Sequence, residues 1–146
     1  MLDKEFISYL EEDVELESHS PDVQEKFRVV FERLGLAEHN QYFVDFWATY
    51  SDEIYGEEGH LIDLAVDLED FDNSLTAYAR RDMDLPEQYI SFLNDELDDF
   101  LFYDISTDEV FLVEAPNIEA FVESTEYDEK WSSFEEFIKD FLGYQE

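Results

Sequence analysis

The chain has no cysteine, three prolines, four glycines and only eight lysines and arginines in 146 residues. Each shortage excludes something. Without thiols there is no disulfide framework and no thiolate metal site. The few glycines form no phosphate-cradling loop. The opening stretch "MLDKEFISYLEED" has no long apolar run, so neither a signal peptide nor a membrane span is expected, and the default location is the cytoplasm. The eight bases face 41 acids, for a formal charge of −33. Nucleic acid is held by Lys and Arg on its phosphates, so it is an implausible ligand. An anionic membrane surface is excluded by the same sign.

What is plentiful is aromatic side chain: 14 Phe, nine Tyr and two Trp, within a hydrophobic fraction of 45%. Aromatics bury about 150–250 Å² each, so a well-filled core is expected rather than an acidic disordered tail. The length suits one domain, because two would each be too small to bury a good core. The expected domain spans residues 1–146, with 1–20 as an N-terminal helical extension.

Apolar spacing places the elements. Phe6, Ile7, Leu10 and Val14 predict a helix between Asp3 and Glu17. Ser20 and Pro21 open a second helix, striped by Val23, Phe27, Val30, Phe31 and Leu34 and stopped by Gly35. Asn40 is expected to cap a third, with Phe43, Phe46, Trp47 and Tyr50 on one face. "EIYG" and "HLIDLAV" read as short strands about a Gly-containing turn. Leu68, Phe71, Leu75 and Tyr78 predict a helix to Arg80, and "QYISFL" a strand. Two apolar runs, "FLFY" and "VFLV", form a hairpin from Phe100 to Glu114 about the turn "ISTDE". "EAFVES" reads as a further strand. Ser133 and Glu136 have capping-box spacing before Phe134, Phe137, Ile138, Phe141 and Leu142, a helix ended by Gly143. Strands cluster centrally with helices around them and without βαβ alternation. The expected class is α+β, with a mostly antiparallel central sheet flanked by helices.

No catalytic residue is expected. Carboxylate pairs arise by chance among 41 acids. "DLEDFDNSLTAY" offers Asp67, Asp70 and Asp72, but counting from Asp70 puts Leu75 and Arg81 where a calcium loop needs Gly and Glu. His19, His39 and His60 lack metal-ligand spacing, and Ser132 and Ser133 suit helix capping better than nucleophilic attack. No metal and no cofactor are expected. The acid runs Ser51–Gly59, Val66–Asp72 and Asn94–Asp99 carry the one distinctive signal. The plain alternative is a solvated or salt-adapted surface. The large aromatic content favours a surface for a cationic protein, since opposite charge steers association.

The order of three stretches carries a resemblance. They are "GEEGHLIDL" (56–64), "LPEQYISFLNDELDDFLFYDISTDEVFLVE" (85–114) and "WSSFEEFIKDFL" (131–142). In sequence they resemble the SUKH superfamily of Smi/Knr-like proteins, over about Val23 to Leu142. The chain departs from the family pattern at Leu36-Ala37, at Ser51-Asp52 and at Thr107-Asp108-Glu109, where the family often has a Gly. The resemblance implies a bacterial immunity protein that neutralises a toxin, often a nuclease, without chemistry of its own. The expected partner is therefore a basic toxin. The expected contact residues are Asp52, Glu53, Tyr55, Glu57 and Glu58 in one turn, and Asp95, Glu96, Asp98, Asp99 and Tyr103 around another. Trp131 is a further candidate anchor, although core packing explains it better. Two other readings stay open: an acidic nucleic-acid mimic that blocks a phage-defence nuclease, and an intracellular protein-binding regulator. A monomer is expected, with a dimer open through a sheet edge.

Overall fold

Helix caps and hairpin turns set the architecture of the computed structural model, which describes residues 2–56, 59–93 and 99–145. Helix α1 (Lys4–Ser8) starts where the Asp3 carboxylate accepts the Phe6 N–H at 2.9 Å, and it continues as a π-helical turn, Tyr9–Asp13. Phe6 and Leu10 are fully buried in the main core, so this segment is part of the core and not an appendage. Helix α2 (Pro21–Arg33) opens with Ser20 accepting the Val23 N–H, as its sequence predicts, and buries Phe27, Val30 and Phe31. Helix α3 (Gln41–Tyr50) buries Phe43, Phe46, Trp47 and Tyr50. Asn40 does not cap it: its amide points inward to Tyr103 and to the Ile105 carbonyl.

Strands β1 (Ile54–Gly56) and β2 (Gly59–Leu61) form the expected hairpin. The second predicted strand, however, stops at Leu61, and Leu64–Glu69 is helix α4. The helix predicted from Leu68 to Arg80 is divided. A 3-10 turn at Phe71–Asn73 separates α4 from α5 (Leu75–Asp82). Two side chains enforce that break. Ser74 accepts the Ala77 N–H at 3.0 Å, and Asp67 accepts the Leu75 N–H at 3.1 Å, so α5 starts afresh.

Strands β3 (Tyr89–Ser91), β4 (Asp99–Asp104), β5 (Val110–Glu114) and β6 (Glu129–Trp131) form one antiparallel sheet in that order. Alternation along β4 and β5 feeds two cores. Leu101, Tyr103 and Val110 face the main core with the helices α1 to α4 and α7 (Phe134–Phe141). Phe102, Phe111 and Val113 face a smaller core with Ala79, Leu85, Tyr89 and Phe121. The sheet is thus covered on both faces, and the fold is α+β. "EAFVES" is not a strand. It lies in helix α6 (Ile118–Ser124), which lays Phe121 on the smaller core, and the strand beside β5 is "EKW".

Helix α7 follows its sequence signals. Ser133 accepts the Glu136 N–H at 3.1 Å, and the Glu136 carboxylate reaches back to the Ser132 N–H. Phe134, Phe137, Ile138 and Phe141 are buried. The β4–β5 turn places Asp108 at φ +68°, a left-handed conformation that Gly or Asp tolerates best. Among the described residues, no helix is long and apolar enough to cross a membrane.

Candidate functional site

The β1–β2 hairpin carries the most exposed large apolar side chain among the described residues. Tyr55 is 70% exposed, and its ring lies tilted on His60 with centroids 4.7 Å apart. Asp52 and Glu53 precede it, both exposed, and residues 51–63 contain no Lys or Arg. An exposed aromatic ring with two exposed acids just before it in the chain suits contact with a cationic surface.

The hairpin is anchored at its base. Ile54 and Leu61 pair across it and are buried in the main core. Ser51 ends α3, donates to the Asp63 carboxylate at 2.5 Å and accepts the Ala65 N–H, which ties α3, the hairpin and α4 together. Gly56 lies against Phe141 so closely that an added Cβ would come within 2.6 Å of the Phe141 carbonyl oxygen. Only glycine fits there without moving α7. Leu61 also bridges to Leu93, and the Ile62 N–H donates to the Phe92 carbonyl at 3.1 Å. The hairpin is therefore joined to the stretch of chain that precedes the third acid run, Asn94–Asp99.

Of the other expected contact residues, Glu57, Glu58, Asp95, Glu96 and Asp98 lie outside the described residues. Asp99 is half-buried at the start of β4, opposite Glu114. Tyr103 leaves the candidate surface: it is 0% exposed and stacks on Phe43 at 3.8 Å. Its hydroxyl accepts from Asn40 at 2.7 Å and donates to Asp108 at 2.6 Å. Trp131 is likewise buried, donating its indole N–H to Asp140 at 2.9 Å. The sequence pattern of a strand puts every second side chain inward, and the apolar run "FLFY" left open which face Tyr103 would take.

Among the described residues, no group of three or more His, Cys, Asp or Glu side chains could hold a metal ion. Asp67 and Asp70, candidates in the calcium comparison, are occupied locally, Asp67 at the start of α5 and Asp70 with the Asn73 amide. His19 and His39 each contact a backbone carbonyl at 2.7 Å, those of Ser51 and Ile105. Six of the eight basic residues are engaged. Lys26, Arg28, Lys130 and Lys139 hold ion pairs, while Arg80 and Arg81 donate to backbone carbonyls. Even complete pairing of all eight bases would leave the chain 33 acids in excess.

Several acids are held away from their ordinary titration range. Burial raises Asp67, aided by nearby Asp70, against the Leu75 N–H that favours its charge. Burial also raises Asp108, against hydrogen bonds from Tyr103 and the Phe134 N–H. Both therefore bind a proton more tightly in the folded chain than in the unfolded one. Their protonation favours folding, so this contribution rises as pH falls through the raised values and is complete below the ordinary 3.8. Asp3 works the other way. The Phe6 N–H, with Lys139, lowers it, so its stabilisation is lost as pH falls below 3.8. The expected result is a melting temperature that climbs from neutral to mildly acid pH and falls again below about pH 4. A melting series across that range checks it; a monotonic fall from neutral pH would contradict it.

Comparison of the chain with family models, with curated proteins and with solved structures returns no match.

Proposed function

We propose that this protein is a cytoplasmic immunity protein that binds and neutralises a basic toxin, with no catalysis of its own. The observation that carries the reading is Tyr55, 70% exposed on an anchored hairpin that has acids and no Lys or Arg beside it. An excess of 33 negative charges supports it, because long-range attraction speeds encounter with a cationic partner. The resemblance to the SUKH superfamily points the same way, and the left-handed Asp108 falls in the hairpin turn where that family often has glycine. A nuclease is the expected type of toxin, since a surface that holds nucleic acid is basic. The bound hairpin would cover that surface and exclude the substrate.

The partner expected on this reading is a basic protein encoded beside this chain, and the test uses it. Co-expression should rescue growth, and the purified pair should associate with a rate that falls as salt rises. Asp52→Lys with Glu53→Lys should slow association, because rim charges act mainly on the on-rate. Tyr55→Ala should chiefly speed dissociation, by about tenfold or more if the ring is an anchor. Absence of both rescue and binding sinks the proposal. Binding that none of these substitutions alters moves the contact off the hairpin.

A further inference from the structure

Helix α6 does more than close the smaller core. Between it, the segment after α5 and the start of β4 lies a groove of about 600 Å³. Met83, Phe100, Ile118 and Val122 form an apolar floor, each only partly buried. Asp82, Asp84, Glu119 and Glu123 stand exposed around it, and its lining contains no Lys or Arg. The hairpin packs into the main core, whereas this groove belongs to the smaller core on the other face of the sheet. It is a separate surface.

The shape and charge limit what can lie there. A second copy of this chain would bring its own excess of 33 negative charges against an acidic rim. Nucleic acid and anionic lipid meet the same repulsion. The floor asks for bulky apolar side chains, and the rim asks for flanking cations. Glu119 and Glu123 are one helical turn apart on α6, so they present two carboxylates along one edge. We propose that the groove docks an amphipathic segment of a cationic partner protein. Its apolar face rests on Met83, Phe100, Ile118 and Val122, and its Lys or Arg side chains pair with the four rim acids. This inference rests on the reading of the chain as a binder of a basic protein, and adds a second point of attachment to it. Two attachment points on one partner raise affinity beyond either alone.

The probe is a short fluorescein-labelled peptide with Leu and Phe at i, i+3, i+4 and i+7 and Lys at the remaining positions, which gives one apolar and one cationic helical face. A control peptide has Ser in place of Leu and Phe. The chain contains two methionines, so methyl-labelled Met gives a two-signal spectrum in which Met83 reports the groove and Met1 serves as reference. The amphipathic peptide should bind saturably and shift the Met83 methyl signal, and the Ser control should bind at least about tenfold more weakly. Val122→Arg should weaken binding by about tenfold or more. Glu119→Lys with Glu123→Lys, at two exposed positions that leave the fold intact, should weaken it and flatten its salt dependence. Tyr55→Ala should leave it unchanged. Equal binding of both peptides, or saturation without a shift at Met83, overturns the proposal, since either means general attraction to a polyanion. No toxin enters this experiment, so its failure leaves the hairpin reading standing, and failure of toxin binding leaves the groove to be judged on the peptide.

Discussion

Phe134→Ala should lower stability by about 3–5 kcal/mol, the usual range for emptying a buried phenylalanine site. Phe134 is fully buried at the start of α7. Its ring lies within 6.5 Å of the rings of Tyr42, Phe43, Phe46, Trp47, Phe92, Tyr103 and Phe137. Those rings come from α3, the end of β3, β4 and α7 itself, so the hole would open where α7 meets three other elements. Rigid aromatic neighbours cannot collapse into it easily, which favours the upper end of the range. Against a total of roughly 5–15 kcal/mol, that is a large share. Urea unfolding at unchanged slope measures it. A loss below about 1 kcal/mol would mean that α7 is not held by this cluster.

Asn40→Ala should cost about 2–4 kcal/mol, from the polar groups it leaves without partners. The Asn40 side chain is buried and holds two backbone groups and one side chain. Its amide donates to the Tyr103 hydroxyl at 2.7 Å and to the Ile105 carbonyl at 2.9 Å, and its oxygen accepts the Ala37 N–H at 2.9 Å. Alanine keeps none of these. The Tyr103 hydroxyl, held far above its usual range by burial and by Asp108, would keep only its bond to Asp108. An ordinary helix cap at residue 40 would predict about 0.5–2 kcal/mol and independence from Tyr103. The network instead predicts that Asn40→Ala and Tyr103→Phe are non-additive by at least about 0.5 kcal/mol in a double-mutant cycle. Simple addition of the two losses would reduce the network to separate contacts.

The same residues show how far the sequence could be read. Elements with strong local chemistry were legible: α2 from Ser20 and Pro21, α7 from Ser133 and its four inward side chains, and the β4–β5 hairpin from its apolar runs. Elements decided by competition were not. Leu68 to Tyr78 has helical spacing, yet Ser74 and Asp67 restart the helix and leave Tyr78 53% exposed. "EAFVES" has strand-like residues, but Ile118, Phe121 and Val122 also share one helical face, and docking on the smaller core decided for helix. That reading as a strand hid the groove, to whose floor α6 contributes Ile118 and Val122. Burial was the other silent variable. Tyr55 and Tyr103 are equal as letters, but one stands in solvent and the other is stacked on Phe43.

The two ends of the chain meet. The Tyr9 hydroxyl donates to the Leu142 carbonyl at 2.6 Å across 133 residues, Lys139 bonds Asp3 and Glu135, and the Phe6 ring meets Tyr144 edge-on at 5.1 Å. Such closure spans nearly the whole length, so it carries the largest loop-entropy cost of any contact in the molecule. It belongs to the end of folding, after the local hairpins and helices have formed. By the same token it is the first seam to part when the native state breathes, while the sheet stays shut. Hydrogen exchange should therefore run fastest in α1 among the core-forming helices. A covalent bridge between these two segments would close the long loop before folding begins and so lower the entropy cost of this late-forming seam.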